Sequence, residues 1–266
     1  MASKSISKLL LVLIAALPLF GACCAMSNPT SKNTEKPHAD DTEQILEKLH
    51  QKTNLLQSYQ SRFLYTFEQP LFESKTLRTG RFYYKDYGSK SKLRINFSTL
   101  KQDEQKAQKY REDYIFDGVW LTHIDYHLEA ARMKQLAEPN KPIGALELLE
   151  QNFPIVGFGN IEKLSEQFEV SLLSGQNNDP NFICLLFSVK PDSPYRKDYT
   201  RLELRLDEKL YLPARITALT TEQDIYELEF SEPQVNKKIN DKIFKVRIPE
   251  KFGEPEIIPL QTQKNR

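Results

Sequence analysis

His123, Asp125 and His127 are the side chains whose types and spacing best suit chemistry. They stand at positions i, i+2 and i+4, so on a β-strand all three would project from one face. Imidazole nitrogens and carboxylate oxygens are ligands that Zn²⁺ takes in proteins. Residues beside a turn are also commonly solvated. The three residues therefore fit either a metal site or a polar turn, and the elements around them must decide.

The sequence lacks the motifs that mark common catalytic sites. It has no Gly-x-Ser-x-Gly nucleophile turn, no His-Glu-x-x-His zinc helix and no phosphate-binding loop. We therefore expect a protein that is not an enzyme, with no catalytic residue and no cofactor.

The first residues have the pattern of an export signal. Lys4 and Lys8 precede an apolar run over residues 9–20, which is short for a membrane span and has the length of a signal-peptide core. Small residues then lead to Cys23, which we predict is acylated; cleavage before Met26 is the alternative. We predict a signal peptide over residues 1–22 and a location in the bacterial cell envelope, in the periplasm and membrane-anchored as a lipoprotein.

Composition excludes several classes of protein. The chain has 266 residues, of which 11% are aromatic, and 37 basic against 36 acidic residues give a net charge of +1. A disordered chain would have fewer aromatic residues, and a disulfide scaffold would have more than three Cys. A nucleic-acid-binding protein would have a basic stripe. We predict a flexible linker over residues 23–41 and one folded domain over residues 42–266, with Cys184 in its core.

Hydrophobic periodicity predicts three helices, over residues 41–57, 143–153 and 161–168. Between the first two, Asp117-Gly118 predicts a tight hairpin turn, because both residues tolerate positive φ. The charged stretch over residues 101–112 is interpreted as a solvated hairpin.

Period-two alternation of apolar and polar residues predicts strands through the rest of the chain. An antiparallel sheet of about eleven strands must curl, and helices placed between its halves would cover the concave side. The sequence thus predicts a mainly β fold with some α. The eleven strands are predicted over residues 63–67, 82–84, 93–97, 110–116, 119–124, 127–132, 182–189, 201–207, 214–220, 224–230 and 244–248.

The order of these elements, roughly over residues 42–252, resembles the outer-membrane lipoprotein carriers and sorting proteins of the LolA-like and LolB-like family. The motifs that carry the resemblance are Leu49, Ser58-Tyr59, Arg62-Phe63, Gly80-Arg81-Phe82-Tyr83-Tyr84, Phe116-Asp117-Gly118-x-Trp120-Leu121, residues 142–149, and Ile243-Phe244-x-Val246-x-Ile248-Pro249. The resemblance implies an incomplete antiparallel β-barrel, lidded by helices over a concave hydrophobic cavity that holds acyl chains. It also implies a hairpin turn around His123 and His127, so no metal site is predicted.

Aromatic and aliphatic side chains of the strands and of the second helix would line this cavity. The alternative is that the same side chains pack together as a closed core. The cavity residues that the resemblance implies are Phe63, Tyr65, Phe67, Phe82, Tyr84, Ile95, Phe97, Trp120, Leu146, Leu148 and Leu149.

One position departs from the family. The carrier has Lys-Arg-Pro after the Gly-led strand, and its Arg latches the lid; here the residues are Lys85-Asp86-Tyr87, and Lys lacks the planar fork of Arg. Two functions therefore stay open.

The first is a monomeric envelope protein that binds lipid or lipoprotein acyl chains and acts in their transport or localisation to the outer membrane. Its partners would include inner-membrane release machinery and an outer-membrane acceptor, and no nucleic acid. The second is a membrane-tethered sensor or scaffold that uses the same fold to bind a protein.

Overall fold

The computed structural model describes residues 39–152, 161–173 and 179–260. The predicted signal peptide and Cys23 lie outside these ranges. The helices within them are α1 (Ala39–Asn54), α2 (Ala145–Asn152) and α3 (Ile161–Gln167). The strands are β1 (Ser58–Gln69), β2 (Ser74–Asp86), β3 (Ser91–Gln102), β4 (Gln108–Phe116), β5 (Trp120–Asp125), β6 (Ala130–Gln135), β7 (Phe168–Leu172), β8 (Phe182–Val189), β9 (Tyr199–Asp207), β10 (Pro213–Thr220), β11 (Ile225–Val235) and β12 (Glu256–Ile258).

All twelve strands belong to one sheet in the order β12-β6-β5-β4-β3-β2-β1-β11-β10-β9-β8-β7. The sheet is open, because β12 and β7 are its two edges. Neighbouring strands from β3 to β6 and from β7 to β11 pair antiparallel, whereas β12 pairs parallel to β6. This mainly β architecture with an open sheet confirms the predicted fold class.

The chain divides into two compact units. The first contains residues 1–54, 66–76 and 149–229. In its described part, β7 to β10 bury Phe168, Phe187, Leu202 and Leu204. Helix α1 buries Leu46 and Leu49 and contacts both β7 and α3. Burial of one helical stripe is what stabilises a short amphipathic helix of this kind.

The second unit contains residues 55–65, 77–148 and 230–266. Its strands bury apolar side chains on both faces: Phe97 and Tyr114 on one, Ile115 and Ile124 on the other. The 3-10 helix Asp241–Phe244 contacts β3 and buries Phe244. We call the face that carries Phe97 and Tyr114 the inner face, and the opposite one the outer face.

Gly80 allows the closest approach between neighbours in this unit. A Cβ atom at this position would lie 2.1 Å from the carbonyl oxygen of Asn96 and 2.6 Å from the ring of Phe63. Both distances are shorter than any real carbon contact, so a side chain here would force the backbone apart. The glycine therefore lets the ring of Phe63 cover β2 directly.

The hairpin between β4 and β5 differs slightly from its prediction. The amide of Asp117 donates to the carbonyl of Trp120, so Gly118 and Val119 occupy the two central positions. Gly118 has a φ of +102°. Asp117 instead accepts hydrogen bonds from the amides of Val119 and Trp120 through its side chain, as Asp commonly does at turns.

Several predicted boundaries were wrong. Helix α1 begins at Ala39, inside the predicted linker, and ends at Asn54, before the predicted end. It ends early because the side chain of Asn236 accepts hydrogen bonds from the amides of Gln57 and Ser58, which directs the backbone into β1. Residues 244–248 form no strand. Phe244 ends the 3-10 helix Asp241–Phe244, which Asn240 caps by accepting from the amide of Lys242, and residues 245–248 have no regular structure. The sequence reading missed β7 and β12, which are only five and three residues long.

Candidate functional site

The predicted cavity residues on β1, β2 and β3 share the inner face. In β1, Phe63, Tyr65 and Phe67 alternate with outward-facing positions and are all buried. In β2 and β3 the same alternation applies, with only Ile95 half-buried. The inner-face residues of these two strands that the sequence predicted are Phe82, Tyr84, Ile95 and Phe97.

Aromatic rings on this face pack closely against one another in the second unit. Phe63 meets Phe97 edge to face, with ring centroids 5.1 Å apart. Tyr59, Phe82 and Phe230 form a second cluster, with centroid distances of 5.9, 5.9 and 6.3 Å. Such edge-to-face pairs are favourable beyond the area they bury. Part of the predicted lining therefore acts as packed core.

The first unit has an apolar face of its own on β8 to β11, which we call the inner face of that unit. Pairing aligns Phe187, Leu202, Ala218 and Tyr226 across four strands. Tyr226 stacks on Phe67 at 4.7 Å, and burial raises the pKa of its hydroxyl to about 12. Tyr226 nevertheless stays half-buried, as does Leu228 two residues further along β11.

Helix α2 carries the three predicted leucines. Leu148 and Leu149 are buried, and Leu146 is half-buried. The helix starts where the amide of Ala145 donates to the hydroxyl of Ser91, at 2.7 Å. This hydrogen bond satisfies one of the amides that a helix start leaves without a partner.

Trp120 lies apart from the other predicted cavity residues. Phe116 pairs with Leu121 across the β4–β5 hairpin, so Leu121 shares the inner face and Trp120 points to the outer face. The two-residue turn at Gly118 and Val119 sets this register. Cys184 is likewise on the outer face and half-buried, so its predicted place in the core was wrong.

The inner face also holds a charge network that the sequence reading missed. Arg78 and Glu112 are ion-paired at 2.9 Å, with side chains only 4% and 5% exposed. The guanidinium of Arg78 also lies over the ring of Phe97, 4.1 Å from its centroid. The hydroxyl of Tyr114 donates to Glu112. The predicted solvated hairpin thus ends in a buried carboxylate, that of Glu112. The only sign of this burial in the sequence is that Glu112 alternates with Tyr110 and Tyr114, which places all three on one face of the strand.

His123 and Asp125 join this network, whereas His127 does not. Carboxylate oxygens of Glu112 and Asp125 and a ring nitrogen of His123 lie within 4.8 Å of one another, which is the spacing a metal ion would need. However, Arg78 already supplies the positive charge beside Glu112, and it would repel a cation. The His123 ring stacks on Tyr114 at 4.4 Å, and burial lowers its pKa. The ring of His127 instead lies beside that of Tyr110, tilted by 33° with the centroids 5.4 Å apart.

Lys85, the basic residue next to Asp86, which stands where the family has its latch Arg, contacts the C-terminal segment. Its ammonium group donates to Asp241 at 2.6 Å and lies 3.5 Å from the carbonyl of Ile239. Tyr87 also donates to Asp241, and these hydrogen bonds lower the pKa of the Asp241 carboxyl. Lys85 therefore anchors the segment that begins after β11.

Comparisons with known proteins give structural neighbours only. No protein-family model matches the chain, and no curated protein matches it. Among solved structures, an uncharacterised conserved protein from Thermus thermophilus has a TM-score of 0.47 and 11% identity, covering 83% of this chain and 99% of that one.

Two further neighbours have more specific descriptions. A structure of the MucA/MucB complex from Pseudomonas aeruginosa has a TM-score of 0.45 and 15% identity over 78% of this chain, which spans only 61% of that one. A LolA superfamily protein from Nitrosomonas europaea has a TM-score of 0.31 and 13% identity, covering 77% and 97% of the two chains. The neighbours thus include the family that the sequence resembles. Similarity at this level concerns the fold alone, so function has to be argued from the chain itself.

Proposed function

We propose that this protein binds the acyl chain of a lipid or lipoprotein on the inner face of its sheet, without catalysis. The observation that carries the proposal is the incomplete burial of Tyr226 and Leu228 on β11. This strand lies between β1 and β10 in the middle of the sheet, where a closed core would cover apolar side chains fully. Large apolar groups left accessible inside a fold are typical of a ligand site.

The energetics suit an acyl chain. Apolar surface removed from water contributes about 25 cal/mol per Å², or about 0.8 kcal/mol for each CH₂ group. A partly covered acyl chain would therefore bind usefully without any directed polar contact. The export pattern at the N-terminus and Cys23 supports a place for this binding in the cell envelope, in transport or localisation of lipids or lipoproteins.

Native mass spectrometry of the exported protein, purified gently and followed by organic extraction, tests this proposal. We expect co-purifying acyl-chain mass. Leu228→Asn should weaken retention roughly tenfold, because it removes the apolar contact of one leucine. Leu71→Asn is the matched control, since Leu71 is 66% exposed on the 3-10 helix Pro70–Phe72.

Two results would overturn the proposal. One is a ligand-free protein that also fails to take up added lipid; the other is equal retention by the Leu228 and Leu71 variants. Either result would favour the alternative function, binding of a protein partner, and would direct the search to crosslinking in the envelope.

A further inference from the structure

A cavity of about 530 Å³ opens on the outer face of the second unit. β3 and β4 form one side through Arg94 and Arg111, which alternate with the inner-face residues of these strands. The segment after β11 forms the other side. The remaining lining residues are Tyr126, Asn240, Lys242, Ile243, Lys245 and Arg247. We call this cavity the basic groove.

A buried carboxylate fixes the two strand arginines of the basic groove in place. Asp113 is fully buried and accepts hydrogen bonds from Arg94 at 2.8 Å and from Arg111 at 3.1 Å. It also accepts from Asn96 and from the hydroxyl of Tyr126. Burial, followed by the charge of Asp113, raises the pKa of Tyr126, so this hydroxyl remains a donor at neutral pH. The guanidinium groups are therefore held before any ligand arrives, which lowers the entropy cost of binding.

The groove nevertheless keeps a large excess of positive charge. Lys242, Lys245 and Arg247 are exposed and form no ion pair with any residue of the described ranges. Asp113 is the only carboxylate that pairs with Arg94 and Arg111 within those ranges. Arg94 donates its other terminal nitrogen to the carbonyl of Ile243, so it adds charge to the wall of the groove. The exposed guanidinium groups of Arg111 and Arg247 are the ones that a ligand can reach. Five cationic side chains thus face one carboxylate.

This arrangement fits a compact anion of high charge density. Guanidinium forks bind phosphate oxygens with paired hydrogen bonds, and lysines add charge without demanding a fixed geometry. Concave walls also focus the field of such charges. A ligand with one carboxylate would neutralise only a small part of the excess positive charge of the groove. A phosphoryl group carries more negative charge and offers several acceptor oxygens at once.

We propose that the basic groove is a phosphoryl-binding site, which takes either free phosphate or the phosphate of a lipid headgroup. The basic groove belongs to the second unit and shares no residue with the apolar face that carries the proposed function. Binding of a phosphoryl group here does not depend on binding of an acyl chain there.

Titration with inorganic phosphate, followed by NMR or calorimetry, tests the proposal. The protein should be exported from the full-length chain carrying Cys23→Ser, so that no acyl group at Cys23 contributes. We expect saturable binding that weakens as salt is added. The triple variant Lys242→Gln/Lys245→Gln/Arg247→Gln should weaken binding by about tenfold or more.

The matched control removes the same charge elsewhere. Lys90, Lys237 and Lys238 are exposed lysines of the same unit that do not line the groove, so the variant Lys90→Gln/Lys237→Gln/Lys238→Gln should bind phosphate like the parent. Equal weakening in both triple variants, or no saturable phosphate binding by a parent protein with an intact thermal transition, would overturn the proposal.

Vesicle flotation distinguishes the two sources of phosphate. The ligand is a lipid headgroup if phosphatidylglycerol vesicles bind the parent protein, if added free phosphate releases the protein from them, and if the groove variant does not bind them. Phosphate binding without vesicle binding would identify a free phosphate or a soluble phosphate ester. Vesicle binding without saturable phosphate binding would contradict a phosphoryl site.

Discussion

Arg78 and Glu112 place opposite charges within an otherwise apolar, aromatic face. Removing two charges from water is expensive, and their attraction offsets this cost only when both partners are present. The pair is surrounded by rings, with Phe97 under the guanidinium and Tyr114 bonded to the carboxylate. We therefore expect the two residues to behave as one unit in stability measurements.

Arg78→Met should lower the free energy of unfolding by about 3–5 kcal/mol, because it leaves Glu112 buried without a counter-charge. Adding Glu112→Leu should restore much of the loss. Urea unfolding measures both effects. Arg62→Met is the control: its ion pair with Glu232 has side chains 58% and 64% exposed and should matter by less than about 1 kcal/mol. A similarly small effect of Arg78→Met would contradict the buried-pair interpretation.

His123 should make stability depend on pH. Burial lowers the pKa of its imidazole in the folded protein, whereas an unfolded His titrates near pH 6.5. As the pH falls, His123 is protonated in the unfolded chain at a higher pH than in the folded protein. The contribution of the neutral imidazole to the free energy of unfolding is therefore fully present above about pH 6.5. Below that pH it decreases, by at most about 1.4 kcal/mol per pH unit. His123→Gln should remove this component, as followed by urea unfolding across pH.

His127→Gln is the matched control for this experiment, since it removes an imidazole from the same hairpin and keeps His123. If the His123 and His127 variants showed the same pH dependence as the parent protein, burial would not govern the imidazole of His123.

At the scale of elements, α2 depends on one hydrogen bond from the sheet. Its first amide, that of Ala145, donates to Ser91 at the start of β3. The amide of Ile143 donates to the carbonyl of Gly118 in the preceding hairpin. The helix is only eight residues long, which is too short to be stable by propensity alone. Its attachment at the N-terminus should therefore control how readily it opens.

Ser91→Ala should destabilise the start of α2 by about 1 kcal/mol, the typical effect of losing an N-terminal cap. Hydrogen exchange of peptides covering residues 145–149 should become faster. Ser89→Ala, two residues earlier in an exposed turn, should leave this exchange unchanged. Unaltered exchange in the Ser91 variant would show that the hydroxyl does not hold the helix.

For the molecule as a whole, the proposed lipid anchor at Cys23 predicts where the protein is found in the cell. No helix of the described ranges is long and apolar enough to cross a bilayer. The proposed tether is the lipid on Cys23. A second contact, such as a lipid headgroup in the basic groove, would strengthen it.

Cys23→Ser should move the protein from the membrane fraction to the soluble periplasmic fraction, because it removes the proposed acylation site. Cell fractionation with immunoblotting measures the distribution. Cys24→Ser, at the neighbouring thiol, should leave the protein in the membrane. Retention of the Cys23 variant in the membrane would assign the tether to another part of the protein.

Most strands, and the residues that share one face of each, were predictable from local sequence patterns. Alternation along Phe63, Tyr65 and Phe67 is a local property, because successive side chains of any strand point to opposite faces. The segments of β8 and β9 were predictable for the same reason. A strand as short as β12, which exists only through its pairing with β6, has no such local signal.

The roles of the charged residues, by contrast, depend on contacts between segments that are far apart in the sequence. Arg78 meets Glu112, and Arg94 meets Asp113, through the register of separate strands. A shift of one residue in that register would move every side chain of the strand to the opposite face. The two-residue turn at Gly118 and Val119 sets the register of β4 and β5, and it also places Trp120 on the outer face. Glu112 and Asp113 are neighbours in the sequence, but alternation along β4 places Glu112 in the buried network and Asp113 beneath the basic groove. Glu112 pairs with Arg78 of another strand, whereas Asp113 pairs with Arg94 of β3 and with Arg111 of its own strand.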